Sequence, residues 1–174
     1  MRRFLVLFAA VAGLAFTGSA AAFPVDGAGY QTFSPYNFCA PYGTNQLVFS
    51  SQYPIRVRYG WGALQPSQLD KFLKVQYGSI IVYDSGTPIV DDTWAAGDTT
   101  GWSAYIAQTG MVPPGGGATR DGWSTRKHTD FGTLEPGTYT FDMNLGIAST
   151  VQDGFGSYQR GAIISITGCT FTVV

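Results

Sequence analysis

The chain holds a single histidine, His128, and it lies in a polar stretch where Ser124, Arg126, His128 and Asp130 alternate. These are the residue types of a nucleophile, a base and an orienting acid, so nucleophilic hydrolysis is the first chemistry to test. The spacing excludes it within one strand. Residues two apart on an extended chain sit about 6.7 Å from each other, which puts Ser124 and His128 about 13 Å apart. A nucleophile and its base need a reach of about 3 Å. The same stretch carries the main local excess of positive charge: Arg120, Arg126, Lys127 and His128 surround Trp123. Beside the glycine-rich Gly110 to Gly122 segment, that set suits an anionic glycan or the carboxylates of a partner protein.

Carboxylates are the second candidates. Glycoside hydrolysis takes two of them about 5 to 9.5 Å apart. Glu135, the only glutamate, sits in a turn beside Pro136, so such a pair would have to come from aspartates gathered by the fold. Asp91, Asp92 and Asp98 cluster in sequence and form a weak calcium candidate, since flexible acidic loops suit that hard cation. Asp98-Thr99-Thr100-Gly101 also reads as ordinary turn chemistry. Zinc is excluded as an expectation, because one histidine and a paired cysteine set leave almost no soft ligands. Gly115-Gly116-Gly117 lacks the Lys-Ser/Thr ending of a phosphate loop. Of the four tryptophans, Trp61 and Trp102 fall on apolar faces, whereas Trp94 and Trp123 lie among polar neighbours and are expected at the surface, where they could stack on sugar rings.

The elements that must position these residues read as β-strands. Tyr139, Phe141, Met143, Leu145 and Ile147 alternate against Thr138, Thr140, Asp142 and Asn144, the pattern of a half-buried strand. Ile55, Val57, Tyr59 and Trp61 alternate against Arg56 and Arg58 in the same way. Shorter strands are expected at Gln46 to Ser50, at Ser79 to Asp84 with Ile89-Val90 pairing back, at Trp102 to Ile106 and at Trp123 to Phe131. In the last strand, Ala162, Ile164 and Ile166 share one face, while Cys169, Phe171 and Val173 stand in the opposite register. A bulge at Thr167-Gly168 would restore a single buried face. One short helix is expected near residues 67–77, from the spacing of Leu69, Phe72 and Leu73, with Ser67 as cap and Gly78 as stop, while Val75-Gln76-Tyr77 reads equally well as extended. The scarcity of glutamate argues against a mostly helical protein.

The expected fold is therefore all-β: an antiparallel β-sandwich, jelly-roll-like, with one short helix. Three segments follow. Residues 1–22 have the charged start, short apolar run and small-residue end of a secretory signal peptide. Residues 23–45 lack any period and are expected to form an irregular leader. Residues 46–174 are expected to form one sandwich domain. Leu134-Glu135-Pro136-Gly137-Thr138-Tyr139 resembles a phrase that recurs in exported β-sandwich modules, and it names no family. Two cysteines in an exported chain are expected to pair as Cys39–Cys169. Closing so long a loop would stabilise by about 4–5 kcal/mol.

Ten basic and eleven acidic residues give a net charge of −1, and removing Arg2 and Arg3 with the expected signal peptide makes it −3. That mild acidity argues against nucleic acid as partner, and no apolar stretch beyond the expected signal peptide has the length of a membrane span. The leading expectation is a non-catalytic binding module, secreted or periplasmic, for a carbohydrate or an envelope or extracellular protein. The tentative ligand set is Trp94, Trp123, Arg120, Arg126, Lys127 and His128, with no cofactor beyond the weak calcium candidate. Two alternatives stand beside it: a polysaccharide-active hydrolase using gathered aspartates, and a structural subunit of an envelope or appendage, which would show an unpaired edge strand. Sequence leaves the oligomeric state open.

Overall fold

The computed structural model describes residues 22–39, 46–112 and 116–174. The expected signal peptide and the end of the expected leader lie almost wholly outside them. The leader is not irregular throughout, which corrects that expectation. Gln31–Phe33 form a short strand, β1, followed by a 3₁₀ turn at Pro35–Asn37. Then come β2 (Val48–Phe49), β3 (Ile55–Ala63), α1 (Pro66–Val75), β4 (Gln76–Asp84) and β5 (Thr87–Trp94). The chain continues with β6 (Ile106–Met111), β7 (Arg120–Gly132), β8 (Gly137–Ile147), a small hairpin of β9 (Val151–Gln152) and β10 (Ser157–Tyr158), and β11 (Gly161–Val173).

The protein is mostly β. One sheet has the order β1-β3-β7-β6 and another β2-β11-β8-β4-β5, with the β9–β10 hairpin apart. The long pairings are antiparallel, but β1 runs parallel to β3 and β2 parallel to β11. The inward residues of both large sheets join one core. Phe33 of β1 meets Phe141 of β8 edge-on at 5.6 Å, and Phe131 of β7 stacks on Phe171 of β11 at 6.1 Å. Such offset and edge-on ring pairs add to plain burial.

The alternation in β8 behaves as its sequence requires, with all five of its apolar side chains buried. In β11 the pairing with β8 shifts between Ile166 and Cys169, so Ile164, Ile166, Phe171 and Val173 all reach the core. Gly168 takes a φ of +66° there, and its N–H donates to Asp142 Oδ1 at 2.7 Å. A second shift, between Ala162 and Ile164, turns Ala162 outward instead of into the core. Cys39 and Cys169 form the expected disulfide, with Cα atoms 5.5 Å apart, and fasten the segment after β1 to the bulge of β11.

The helix forms with Leu69, Phe72 and Leu73 buried, as expected, but both of its ends differ. Pro66 opens it, and the Gln68 side chain accepts the Gln65 backbone N–H at 2.9 Å, so Ser67 is not the cap. Gly78 does not stop it: the chain passes straight from Val75 into β4. Gly78 is needed inside β4, where an added Cβ would sit 2.3 Å from the Asn144 carbonyl and 2.5 Å from the Trp94 ring. Ser85 and Gly86 both take positive φ in the turn that joins β4 to β5, as a tight hairpin demands. The strand expected at Trp102 to Ile106 is displaced. Trp102 makes only a bridge to Lys127, and β6 begins at Ile106.

Candidate binding edge

Strand β7 divides the expected ligand set by its pleat. Ser124, Arg126, His128 and Asp130 face outward, while Thr125, Lys127, Thr129 and Phe131 face the core. Lys127 is therefore a corrected member. It is 3% exposed, its ammonium lies 3.3 Å from the Asp92 carboxylate, and it donates to the Thr100 carbonyl at 3.0 Å. Trp94 is corrected as well, being 4% exposed. It stacks on Tyr59 at 5.9 Å, holds Lys127 4.7 Å above its ring and donates its indole N–H to Gln76. Gly78 makes room for it, and a tryptophan so enclosed has no face to offer a sugar.

The three aspartates of the calcium candidate do not converge. Asp91 accepts from Thr93 at 2.6 Å, Asp92 takes Thr129 and Lys127, and Asp98 accepts the Thr100 N–H at 2.8 Å in its own turn. Among the described residues no group of three His, Cys, Asp or Glu side chains is placed to hold a metal. Arg120 is exposed at the start of β7, and Trp123 is 36% exposed near it, away from Arg126 and His128 on the pleat.

The more consequential feature is the free side of β3. Gln31 N–H donates to the Pro54 carbonyl, which sets the phase: even-numbered residues here turn their backbone groups toward β1. Following that ladder, the next rung after Phe33 would need an N–H at residue 35. Residue 35 is proline and has none, so β1 stops pairing at that point. Farther along, Leu64 N–H donates to the Asp153 carbonyl at 2.8 Å, so the β9–β10 hairpin closes the same edge at its other end.

Between these two closures lie Gly60 and Gly62. Across the sheet, Arg126 directs both its backbone groups away from β3: its carbonyl accepts from Ser103 N–H at 2.7 Å, and its N–H donates to Ser103 Oγ at 3.1 Å. Arg126 stands opposite Gly60 in the register, so this is a pair without mutual hydrogen bonds. The backbone groups of Gly60 and Gly62 must then point to the free edge. None has a partner among the described residues. Backbone requires glycine at the first position, whereas at the second the close neighbour is only the flexible tip of a methionine. A Cβ at Gly60 would lie 2.5 Å from the Thr125 carbonyl, and one at Gly62 would lie 2.3 Å from Met111 Cε.

Two cavities of about 330 Å³ each meet over Gly60-Trp61-Gly62. The one on the core side is apolar, walled by Trp61, Phe155, Tyr158, Ile163 and Ile164. Its only carboxylate, Asp153, is buried, and Oδ1 accepts the N–H groups of Phe155 and Gly156 at 2.8 Å each. Burial, and then the Asp153 charge, push the Tyr158 hydroxyl up to about 12. The cavity on the outer side is the more polar of the two, with Arg58, Arg126, Ser124, Gln108 and Ser34 on its walls.

The outer face carries uncompensated positive charge. Arg56 clamps Asp130 with two bonds, of 2.5 and 2.9 Å, and lies 3.5 Å from the centre of the Tyr30 ring. The Arg56 hydrogen bond holds Asp130 below the usual carboxylate range. Arg58 stands opposite His128, and neither Arg58 nor Arg126 has an ion-pair partner among the described residues. Partial desolvation, followed by the charges of Arg56 and Arg58, holds the His128 imidazole below its ordinary value.

Sequence reasoning missed Gly60, Gly62 and Phe155 as site residues, while Tyr158, readable there as a hydroxyl donor, does line the inner cavity. A usable signal was there: a Gly-x-Gly inside the alternation of Ile55 to Ala63, downstream of a proline that ends a neighbouring strand. No family model, curated protein or solved structure matches this chain.

Proposed function

We propose that the chain is an exported β-sandwich binding module, jelly-roll-like in its pair of large sheets, that captures an extended segment of a protein partner on the free edge of β3. The observation that carries this reading is the run of unpartnered backbone groups at Gly60 and Gly62, bounded by Pro35 at one end and Asp153 at the other. An unpaired edge is a template for strand addition, in which main-chain hydrogen bonds supply affinity and pockets for alternate side chains supply specificity. Glycine at both positions lets another backbone come close. Of the expected ligands, the protein partner is favoured over the carbohydrate because Trp94 is enclosed and Trp123 lines neither cavity. The disulfide suits an oxidising, extracytoplasmic setting, and among the described residues no helix is long and apolar enough to cross a membrane.

The test is a nuclear magnetic resonance titration of the labelled protein with a pool of eight-residue peptides of high β-propensity and, separately, with a panel of neutral oligosaccharides. Peptide is expected to shift the amide signals of Gly60 and Gly62. Shifts confined to Trp123, or shifts produced by sugar alone, would overturn the assignment.

A further inference from the structure

Strand addition fixes which way each side chain of the captured segment points, and the two sides of this edge differ chemically. Side chains of an added strand alternate between the outer face, beside Arg58 and Arg126, and the core face, beside Tyr59 and Trp61. We infer that the segment taken by β3 alternates acidic and apolar residues, its carboxylates lying on the Arg58–Arg126 face and its apolar side chains filling the cavity of Trp61, Phe155, Tyr158 and Ile163. The inference rests on the edge reading above and specifies the partner for it.

Two observations carry the acidic half. Arg58 and Arg126 both wall the outer cavity, and neither has a carboxylate to meet among the described residues. The described anions beside Arg56 are already engaged, Asp130 by both ends of its guanidinium and Asp26 by the Thr32 hydroxyl. Arg58 and Arg126 stand diagonally across the β3–β7 pair, within reach of each other's long side chains, and their like charges repel at a cost that an arriving carboxylate would relieve. A guanidinium fork matches a carboxylate in two parallel hydrogen bonds, which favours Glu or Asp over a neutral amide.

The apolar half follows from the other cavity. Its walls are aromatic and aliphatic, and its one charged group, Asp153, is a buried carboxylate that would repel an acid and is already satisfied by backbone donors. An acidic side chain therefore fits only on the outer face, and a large apolar one only on the inner. That asymmetry fixes the register of the segment to within a two-residue step.

The experiment uses the mature, disulfide-bonded protein and three fluorescein-labelled eight-residue peptides, alternating Glu with Val, Ser with Val and Lys with Val, followed by fluorescence anisotropy. The Glu peptide is expected to bind about tenfold more tightly than the Ser peptide, with the Lys peptide weaker again, as two partly exposed charge pairs allow. In the double variant Arg58→Glu/Arg126→Glu the order of the Glu and Lys peptides should reverse, a result that a misfolded variant cannot give. Equal binding of all three peptides would overturn the charge assignment and leave the edge reading standing. Binding of none of them would overturn both. So would binding of a polygalacturonate oligosaccharide by a protein that takes no peptide, since the cationic face would then serve a glycan.

Discussion

Replacing Cys39 and Cys169 together by alanine is expected to cost the protein about 3–5 kcal/mol. The bridge joins residues 130 positions apart, and on the chain-entropy model a loop of that length restricts the unfolded chain by about 5 kcal/mol at room temperature. The folded state should lose little of its own. Phe33 stays in the core at 2% exposure, β1 stays paired with β3, and Phe23 keeps its contacts with Phe33 and Phe49. The loss should therefore arise mainly through a freer unfolded ensemble, which also exposes more surface. Guanidinium unfolding of the oxidised wild type and the double variant measures both quantities. The free energy of unfolding should fall by the stated amount, with a denaturant slope that is equal or larger. A loss below about 1 kcal/mol, or a smaller slope in the variant, would refute the argument that the bridge acts on the unfolded chain.

Other consequences can be checked on the same material. Gly78→Ala pushes a methyl into Trp94 and the Asn144 carbonyl, and should cost about 1–3 kcal/mol with a changed tryptophan emission spectrum. Asp92→Asn leaves the Lys127 ammonium buried against the Trp94 face without its carboxylate. Asp92 is itself partly exposed, so the loss should fall at or below the low end of the about 3–5 kcal/mol seen on breaking buried pairs, read by thermal or denaturant unfolding. The folded pKa of Asp130 is lowered, so its contribution is present above the unfolded value and is lost as pH falls through the folded one. Arg56→Gln should return the Asp130 carboxyl signal toward its ordinary titration. His128 is likewise lowered, so protonating it below its ordinary pKa opposes folding. An acidic peptide on Arg58 and Arg126 should raise its pKa and draw a proton onto the complex, as imidazole shifts would show.

Much of the scaffold was legible because it rests on near-neighbour patterns. The period-2 run of β8, the outward arginines of β3 and the register slip at Thr167-Gly168 each follow from residues a few positions apart. The disulfide was legible because the chain has two cysteines. What failed depended on partners distant in sequence. Trp94 reads as exposed beside Asp91, Asp92 and Asp98, but Asp92 meets Lys127 and Thr129 from the opposite sheet. Gly78 reads as a helix stop because its collision with Trp94 belongs to a hairpin formed afterwards. β1 carries no period, since its parallel pairing to β3 exists only once the chain has folded back. The binding edge was hidden for the same reason: a free edge is made by where a neighbouring strand ends. Pro35 marks that end, but its meaning appears only in the β1–β3 register.

The edge reading rests on a hydrogen-bond phase along β3 that can be measured residue by residue. Amide hydrogen exchange of the disulfide-bonded protein, alone and saturated with the alternating Glu–Val peptide, tests it directly. In the free protein Tyr59 and Trp61, whose N–H groups turn toward β7, should exchange slowly, while Gly60 and Gly62 exchange fast. With peptide bound, Gly60 and Gly62 should become protected and Tyr59 and Trp61 should change little. Protected glycines in the free protein, or glycines that stay fast at saturation, would contradict the account.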